Sequence, residues 1–275
     1  MQPFLQSAIM RSWRPTTLIW ASLALHLFAL LAWIIAPAYW TWFVGMLAAN
    51  HLLLTLLGLW PRSQGLGSNW TVLPKAAAAR NEIALTIDDG PDPLVTPQVL
   101  DILDRHQVRV TFFCVGEKAA RYPDLCREIV RRGHAIENHT QHHSHTFALM
   151  GMRGFTRELQ AAQRTLGTLT GVSPQFFRAP AGLRNPLLQP VLDRLGLQLT
   201  SWSVRGFDTR HTDPDRVKDR LLKKLHAGAI VLMHDGNAAH TAQGVPMIIE
   251  ILPAFLSAAR SLQLRFVSLR EAVQA

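Results

Sequence analysis

Two adjacent aspartates, Asp88 and Asp89, stand directly after a short apolar run of the chain. The run, residues 83–87, is partly β-branched and is followed by Gly90 and Pro91, a pattern typical of a buried strand that ends in a turn. Neighbouring side chains of a strand point to opposite faces, so the pair can present carboxylates in two directions at the rim of a sheet. Buried carboxylates are costly unless something binds them. An acidic loop that caps the next helix is the alternative.

Unusual polar residues also follow the later predicted strands. In a (β/α) barrel the catalytic groups lie at the carboxyl ends of the strands. Any one of these segments is compatible with an ordinary polar loop, but their recurrence at corresponding positions favours one shared site. In chain order the segments are residues 139–143, 178–182, 205–208 and 234–236.

His139 and His143 are four residues apart. On a helical turn this spacing places two imidazoles on one face, and two histidines with a carboxylate form a good ligand set for a divalent metal. Open positions on such a metal would hold water and substrate, as in a hydrolytic site. From spacing alone His142 and His145 permit other pairings, and a histidine-rich surface loop is the alternative.

Strand-like and helix-like segments alternate from Asn81 onward, in about seven βα units without internal repeats. This order predicts a distorted or incomplete (β/α)7 barrel, with a doubly wound sheet as the alternative. Asp213 is the predicted N-cap of the fifth helix. The predicted strands are residues 83–87, 108–115, 134–138, 175–178, 198–204, 229–233 and 265–268, and the predicted helices are residues 96–106, 118–132, 154–170, 187–195, 213–226 and 246–262.

The chain before this domain is strongly apolar. Residues 1–15 form a short basic N-terminus, and residues 16–60 predict two membrane helices joined by a short turn, because each is about the 20 apolar residues that a span needs. Residues 61–80 are predicted to be a linker, and residues 81–275 the soluble domain. A signal peptide is the alternative, but its apolar region would be about half as long.

Charge supports a membrane-associated protein that binds an anionic ligand. The chain has 28 Lys and Arg against 19 Asp and Glu, a net charge of +9, which suits a phosphate-bearing ligand or an anionic membrane. No nucleic-acid-binding signature is present.

Basic residues flank the apolar segments and none lies in the turn between them. The positive-inside rule therefore predicts a bacterial-type inner-membrane protein with its domain in the cytoplasm, and a periplasmic domain is the alternative. Cys114 and Cys126 are predicted to be reduced and packed.

The ordered motifs resemble the polysaccharide deacetylase family, the carbohydrate esterases with a NodB-type domain, over residues 82–273. Four segments carry this resemblance, and they occur in the family's order. It selects His143 over His142 as the second histidine of its motif. The segments are Thr86-Ile-Asp-Asp-Gly-Pro91, His139-Thr-Gln-His-His143, Arg178-Ala-Pro-Ala-Gly182 and Leu232-Met-His234.

The resemblance implies a role for each matching residue. It implies one divalent metal, with zinc favoured and cobalt, nickel or manganese also compatible with the ligands. Asp88 would be the general base, paired with Arg178, and His234 the general acid. The metal ligands would be Asp89, His139 and His143. The substrate groove would be formed by Pro180, Ala181 and Gly182, with an oxyanion-binding N–H near Ala181, and Leu232 would line the acetyl pocket.

The chain departs from the family pattern at three places. Ala181 stands where many members have an aromatic residue, and Ile87 replaces a phenylalanine. A further motif of the family, Asp-x-x-Asp-Trp, stands here as Arg205-Gly-Phe-Asp208-Thr209. Arg205 replaces one carboxylate and the tryptophan is lost, so only Asp208 remains to tune the acid His234. Arg205 is a candidate for binding an anionic group of the substrate. The alternative is an ion pair with Asp208 or Asp213.

The resemblance implies a metal-dependent hydrolase that removes an N-acetyl group from an amino sugar. The substrate would be an N-acetylated glycan, either a polysaccharide or a polyprenyl-phosphate- or lipid-linked intermediate at the membrane. One alternative is a catalytically silent carbohydrate-binding or scaffold protein of a membrane glycan-assembly complex. Another is a deacylase of O-acetyl or N-formyl groups, since the same site serves all three reactions.

Overall fold

The computed structural model describes residues 12–274 of the chain. It begins with two long apolar helices, α1 (Thr17–Ile35) and α2 (Trp40–Leu59), joined by a 3₁₀ turn at Pro37–Tyr39. Both are long and apolar enough to cross a membrane, although a signal sequence near the N-terminus passes the same test. Most of their large side chains are exposed, unlike those of a helix in a soluble core. Between the helices, Asn50 Nδ2 donates to Ser22 Oγ at 2.8 Å.

Every strand pair in the domain is parallel. The order across the sheet is β5-β4-β3-β2-β1-β7-β6, and β8 pairs with the beginning of β1. The strands are β1 (Glu82–Asp88), β2 (Thr111–Cys114), β3 (Ala135–Asn138), β4 (Phe176–Phe177), β5 (Gln198–Leu199), β6 (Val204–Arg205), β7 (Ile230–His234) and β8 (Arg265–Phe266).

Except between β5 and β6, helices connect successive strands and pack on the outer face of the sheet. The predicted helix over residues 118–132 is two helices, because Pro123 cannot continue the preceding helix and instead begins the next one. Asp213 caps the ninth helix, as predicted, by accepting from two backbone N–H groups. The helices of the domain are α3 (Lys75–Ala79), α4 (Thr96–Arg105), α5 (Gly116–Arg121), α6 (Pro123–Arg131), α7 (Met152–Thr170), α8 (Leu188–Leu195), α9 (Pro214–Lys223), α10 (Met247–Ser261) and α11 (Leu269–Gln274).

The predicted strand over residues 198–204 is wrong, because it is two strands at opposite ends of the sheet. β5 pairs with β4, whereas β6 pairs with β7, and residues 200–203 cross between these two edges. Trp70 lies in the gap: its N–H donates to the Leu199 carbonyl at 2.9 Å, and its carbonyl accepts from Ser201 N–H at 2.8 Å. The sheet is thus curled but open between β5 and β6, which confirms the predicted incomplete barrel.

Alternation along β1 separates the core from the site. Ile83, Leu85 and Ile87 belong to the cluster between the sheet and the outer helices. Ala84 belongs to the inner cluster, which also contains Leu232 and Trp202. Since Thr86 and Asp88 have the parity of Ala84, their side chains lie on the inner face, toward the mouth of the barrel.

The segment over residues 61–80, predicted as a linker, packs against the domain. Leu73 and Ala77 are buried in the inner cluster, and Leu73 N–H donates to the Gly228 carbonyl at 2.8 Å. The end of α2 is also held, because Arg184 N–H donates to the Gly58 carbonyl at 3.1 Å and Arg184 Nη2 donates to the Ser63 carbonyl at 2.5 Å. Beginning a fragment at Asn81 would therefore remove part of the folded core.

Candidate active site

Both carboxylates at the end of β1 reach the same site. His139 Nε2 lies 3.1 Å from Asp89 Oδ1 and 3.9 Å from Asp88 Oδ2. Asp89 has a left-handed backbone conformation, with φ of 73°, which ends the alternation of the strand. The expectation that the two carboxylates point in two directions is therefore wrong, and they converge at one mouth.

Asp89, His139 and His143 form the candidate metal site. Their ligand atoms lie within 4.8 Å of one another, and both histidine Nε2 atoms are 3.1 Å from Asp89 Oδ1. Two imidazole nitrogens and one carboxylate oxygen converging in this way fit a zinc-like divalent ion with open positions. Burial alone would raise the pKa of Asp89, but the hydrogen bonds from His139 and His143 hold that pKa well below its ordinary value.

Groups behind the ligands fix their orientation. His139 Nδ1 lies 2.8 Å from the Arg178 carbonyl, to which it donates, so in the neutral ring Nε2 carries the lone pair that a metal would take. Asn237 Nδ2 donates to Asp89 Oδ2 at 3.1 Å. His142, by contrast, turns away from the site and lies 2.9 Å from Glu158 Oε1. The spacing left His142 and His143 open as ligands, and the structure brings only His143 to Asp89.

We expect His139→Ala and His143→Ala each to weaken zinc binding by at least about 100-fold, because loss of a ligand exceeds the usual effect of a supporting residue. Isothermal titration calorimetry of the full chain in detergent measures this affinity. His142→Ala is the matched control and should bind zinc as the wild type does. Equal zinc affinity in all three variants would contradict this ligand set.

Arg178 holds Asp88 in place. Its Nη1 donates to Asp88 Oδ1 at 2.6 Å and to Thr86 Oγ1 at 2.8 Å. The other nitrogens donate to backbone carbonyls, Nε to Thr200 at 3.1 Å and Nη2 to Ser201 at 2.8 Å. The side chain is 1% exposed, and burial lowers the pKa of Arg178 while the Asp88 carboxylate opposes this shift. The predicted pair is therefore present, and it holds the Asp88 carboxylate beside the candidate metal ligands.

His234 is held by Asp208 from the neighbouring loop. Asp208 Oδ2 accepts from His234 N–H at 2.7 Å, and Asp208 Oδ1 lies 3.0 Å from His234 Nδ1. Burial lowers the pKa of His234, but the Asp208 carboxylate more than compensates and the pKa rises to about 9. Within residues 12–274 His234 Nε2 has no hydrogen-bond partner. His234 is thus a protonated imidazole with one N–H free for a substrate.

The predicted groove residues follow Arg178, which binds Asp88, along the chain. Pro180–Gly182 is a 3₁₀ turn in which Ala181 has a left-handed φ of 53°. Gly182 N–H donates to the Ala179 carbonyl at 2.8 Å, whereas Ala181 N–H has no acceptor within the described chain. Leu232 is buried in the inner cluster next to Trp202. A free N–H at Ala181 is compatible with the predicted oxyanion contact.

Arg205 ends β6, the strand at one edge of the sheet, and has no carboxylate partner within the described residues. The alternative of an ion pair with Asp208 or Asp213 is wrong. Asp208 instead binds His234, and Asp213 caps α9. No carboxylate oxygen of residues 12–274 lies within 4.0 Å of the Arg205 guanidinium.

Sequence reasoning missed three polar groups around Asp89. Lys118 Nζ donates to the Asp89 carbonyl at 2.8 Å, and Asn237 binds its carboxylate. Asp235 is buried, which raises its pKa to about 7, and Thr96 Oγ1 donates to its Oδ2 at 2.5 Å. Asp235 was visible beside His234 in the sequence, but nothing local marks Lys118, which comes from a helix after a different strand.

Comparisons with known proteins agree with this geometry. The family profile described as polysaccharide deacetylase matches residues 75–200. A peptidoglycan-N-acetylglucosamine deacetylase of Bacillus cereus is 32% identical over 174 residues, which cover 62% of this chain and 62% of the relative, less than two thirds of its length. A chitooligosaccharide deacetylase of Sinorhizobium fredii is 32% identical over 192 residues, which cover 66% of this chain and 89% of the relative. A solved peptidoglycan N-acetylglucosamine deacetylase structure superposes with a TM-score of 0.68 at 27% identity, covering 75% of this chain and 93% of that chain.

Proposed function

Because the chain belongs to the polysaccharide deacetylase family, we propose that it is a metal-dependent hydrolase that removes the N-acetyl group from an N-acetylated amino sugar. The observation that carries this proposal is the pairing of Asp88 with His234 on adjacent strands. One is a carboxylate held by a cation, and the other is an imidazole held by a carboxylate. A base and an acid close to one ligand cluster are what hydrolysis of an amide needs.

Asp88 is the proposed general base. Its contact with Arg178 holds the carboxylate in place, and its position beside the Asp89, His139 and His143 cluster lets it take the proton of an attacking water. Arg178 is a positioning residue, since all its side-chain hydrogen bonds are with Asp88, Thr86 and backbone carbonyls.

His234 is the proposed general acid. It is protonated at neutral pH through Asp208 and donates from Nε2 to the leaving amine as the carbon–nitrogen bond breaks. The free Ala181 N–H would donate to the developing oxyanion, and Leu232 would line the acetyl pocket. Pro180, Ala181 and Gly182 would form one wall of the substrate groove. The products are acetate and a free amino sugar.

Asp89, His139 and His143 would hold the divalent ion, with zinc favoured and cobalt, nickel or manganese also compatible. When bound, such an ion polarises the acetyl carbonyl and lowers the pKa of water. The chain's own contribution is to fix the ligands, through the His139 contact with the Arg178 carbonyl and the Asn237 contact with Asp89.

We further propose that α1 and α2 span a bacterial-type inner membrane with both ends in the cytoplasm. Arg62, Lys75 and Arg80 follow the hairpin and Arg14 precedes it, while Arg11 lies outside the described residues. A reporter enzyme active only in the periplasm, fused after Ala275, should give little activity. High reporter activity would place the domain in the periplasm and make an envelope polysaccharide the better substrate.

The deacetylase activity is tested with the full chain in detergent micelles, loaded with zinc and given an N-acetylglucosamine oligomer. We expect acetate and free amine in equal amounts. Acetate without amine from an O-acetylated glycan would identify an esterase, and formate from an N-formyl sugar would identify a deformylase. If no acyl group is released from any substrate, including lipid-linked ones, the protein is a silent carbohydrate-binding or scaffold protein.

A further inference from the structure

Arg205 points into the mouth of the barrel. In the sheet register, Arg205 lies opposite Leu232, and Leu232 lies opposite Thr86. Residues in register share a face, so Arg205 is on the same inner face as Thr86 and Asp88. A guanidinium therefore stands two strands away from the proposed base, at a position where the family pattern has a carboxylate.

The guanidinium is held by rings and makes no hydrogen bond within residues 12–274. Its central carbon lies 5.3 Å from the centre of the Trp202 ring and 4.9 Å from the centre of the Phe207 ring. Its Nε is buried without a hydrogen-bond partner. Arg178, whose central carbon lies 5.8 Å from the centre of the same Trp202 ring, donates four hydrogen bonds. Stacking fixes the plane of Arg205 without using its donors, so its N–H edge is available to a ligand.

The charge of Arg205 is not needed by the neighbouring carboxylates. Asp88 is paired with Arg178 at 2.6 Å, and Asp208 with His234 at 3.0 Å. Asp89 lies against His139 and His143, at 3.1 Å from each. Each of these three carboxylates thus has its own cationic or metal-binding partner. The positive charge of Arg205 remains for an anion brought by the substrate.

The membrane hairpin reaches this same corner of the site. Trp202 and Pro61, the second residue after α2, both lie against Gly182, where an added Cβ would collide with them. The Pro61 carbonyl also accepts from Ser201 Oγ at 2.6 Å. The Trp202 ring that lies against Arg205 and Pro61, which follows the apolar helix α2, therefore both adjoin Gly182. A substrate whose phosphate lies at Arg205 would have its lipid, if it carried one, close to the bilayer.

We propose that Arg205, stacked between Trp202 and Phe207, binds the phosphate of a phosphorylated N-acetylamino sugar, either free or esterified to a lipid. The planar guanidinium matches phosphate oxygens in a two-pronged contact that a lysine does not reproduce. This substrate class rests on the proposed deacetylase function for turnover, but not for binding. A preference for charged sugars over neutral oligomers follows from it.

Binding is measured first, by calorimetry on the full chain in nanodiscs, with N-acetylglucosamine 1-phosphate and with a neutral N-acetylglucosamine trimer. We expect Arg205→Gln to weaken binding of the sugar phosphate by at least about 10-fold and binding of the trimer by less than about 2-fold. Arg205→Lys, which retains the charge without the fork, should fall between them. Equal loss for both ligands, or no loss for either, would overturn the proposal.

Arg265→Gln is the matched control. It removes the same charge from an exposed residue of β8, which pairs with the opposite end of β1 from the site. Its affinity for the sugar phosphate should equal that of the wild type. Thermal melts of each variant show whether it is folded, and Arg205→Lys keeps the test valid if Arg205→Gln does not fold.

Turnover separates the two sources of phosphate. A polyprenyl-phosphate-linked N-acetylglucosamine in the nanodisc should be hydrolysed with a higher kcat/KM than the free sugar phosphate if the lipid contributes. Equal values would show that the phosphate and sugar alone are recognised and that the lipid contributes nothing. Deacetylation of neutral oligomers without any preference for phosphate would overturn the Arg205 proposal and leave the deacetylase function intact. Phosphate binding that depends on Arg205, in a protein that deacetylates none of the substrates, would support the Arg205 proposal and overturn the deacetylase function.

Discussion

Asp88→Asn is expected to lower kcat by about 10²- to 10⁴-fold, the usual range for loss of a general base. The asparagine can still accept from Arg178, but it cannot take a proton from water. The kinetics are followed as acetate release at saturating substrate. A variant that keeps the wild-type kcat would show that another group is the base.

The same change should also destabilise the fold. Arg178 is 1% exposed and Asp88 4% exposed, and removal of one partner leaves a buried cation without its carboxylate. The expected cost is about 3 kcal/mol in the free energy of unfolding. Asp124→Asn is the control, because it removes a carboxylate from a surface pair with Arg127 whose Asp side chain is 95% exposed. It should leave kcat unchanged and alter the stability by less than about 1 kcal/mol.

Asp208→Asn is expected to move the alkaline limb of the pH–rate profile to lower pH. The proposed acid must be protonated, so activity is present below the pKa of His234, about 9, and is lost as the pH rises through it. Burial lowers this pKa and the Asp208 carboxylate raises it. Without the carboxylate, burial lowers the pKa of His234, so the alkaline limb should move to lower pH by at least about one unit.

The pH dependence of kcat/KM in wild type and variant measures this shift. Asp213→Asn is the matched control, since Asp213 caps α9 from the same loop and does not contact His234. Asparagine is also a good N-cap, so this variant should keep both stability and pH profile. A uniform loss of rate in Asp208→Asn, with the limb unmoved, would mean that Asp208 only supports the structure.

The parts of the molecule that sequence could predict are those in which local pattern and function coincide. β1 has an apolar run that ends in polar residues, so its extent and its position beside the site followed from the residues alone. The motifs of His139 and His143, Arg178 and His234 occur at strand ends, and the structure brings them to one mouth. The incomplete barrel followed from the alternation of strands and helices.

The parts of the molecule that the sequence could not predict depend on contacts between distant segments. Residues 198–204 have the pattern of one strand, but the strand is interrupted where Trp70 occupies the gap between the two sheet edges. The packing of residues 61–80 on the domain has no local signal, because it depends on where Leu73 and Ala77 meet the inner cluster. Arg205 was left open between two partners, and only the structure shows that both carboxylates are engaged elsewhere.

The measurement that tests the central claim most directly is acetate release as a function of zinc bound per chain. Metal-free protein, checked by elemental analysis, is titrated with zinc in detergent, and rate and bound metal are followed together. The account predicts no release without metal and a rate that rises in proportion to bound zinc, levelling off at about one ion per chain. Full activity in the metal-free protein, or an undiminished rate in His139→Ala, would contradict it.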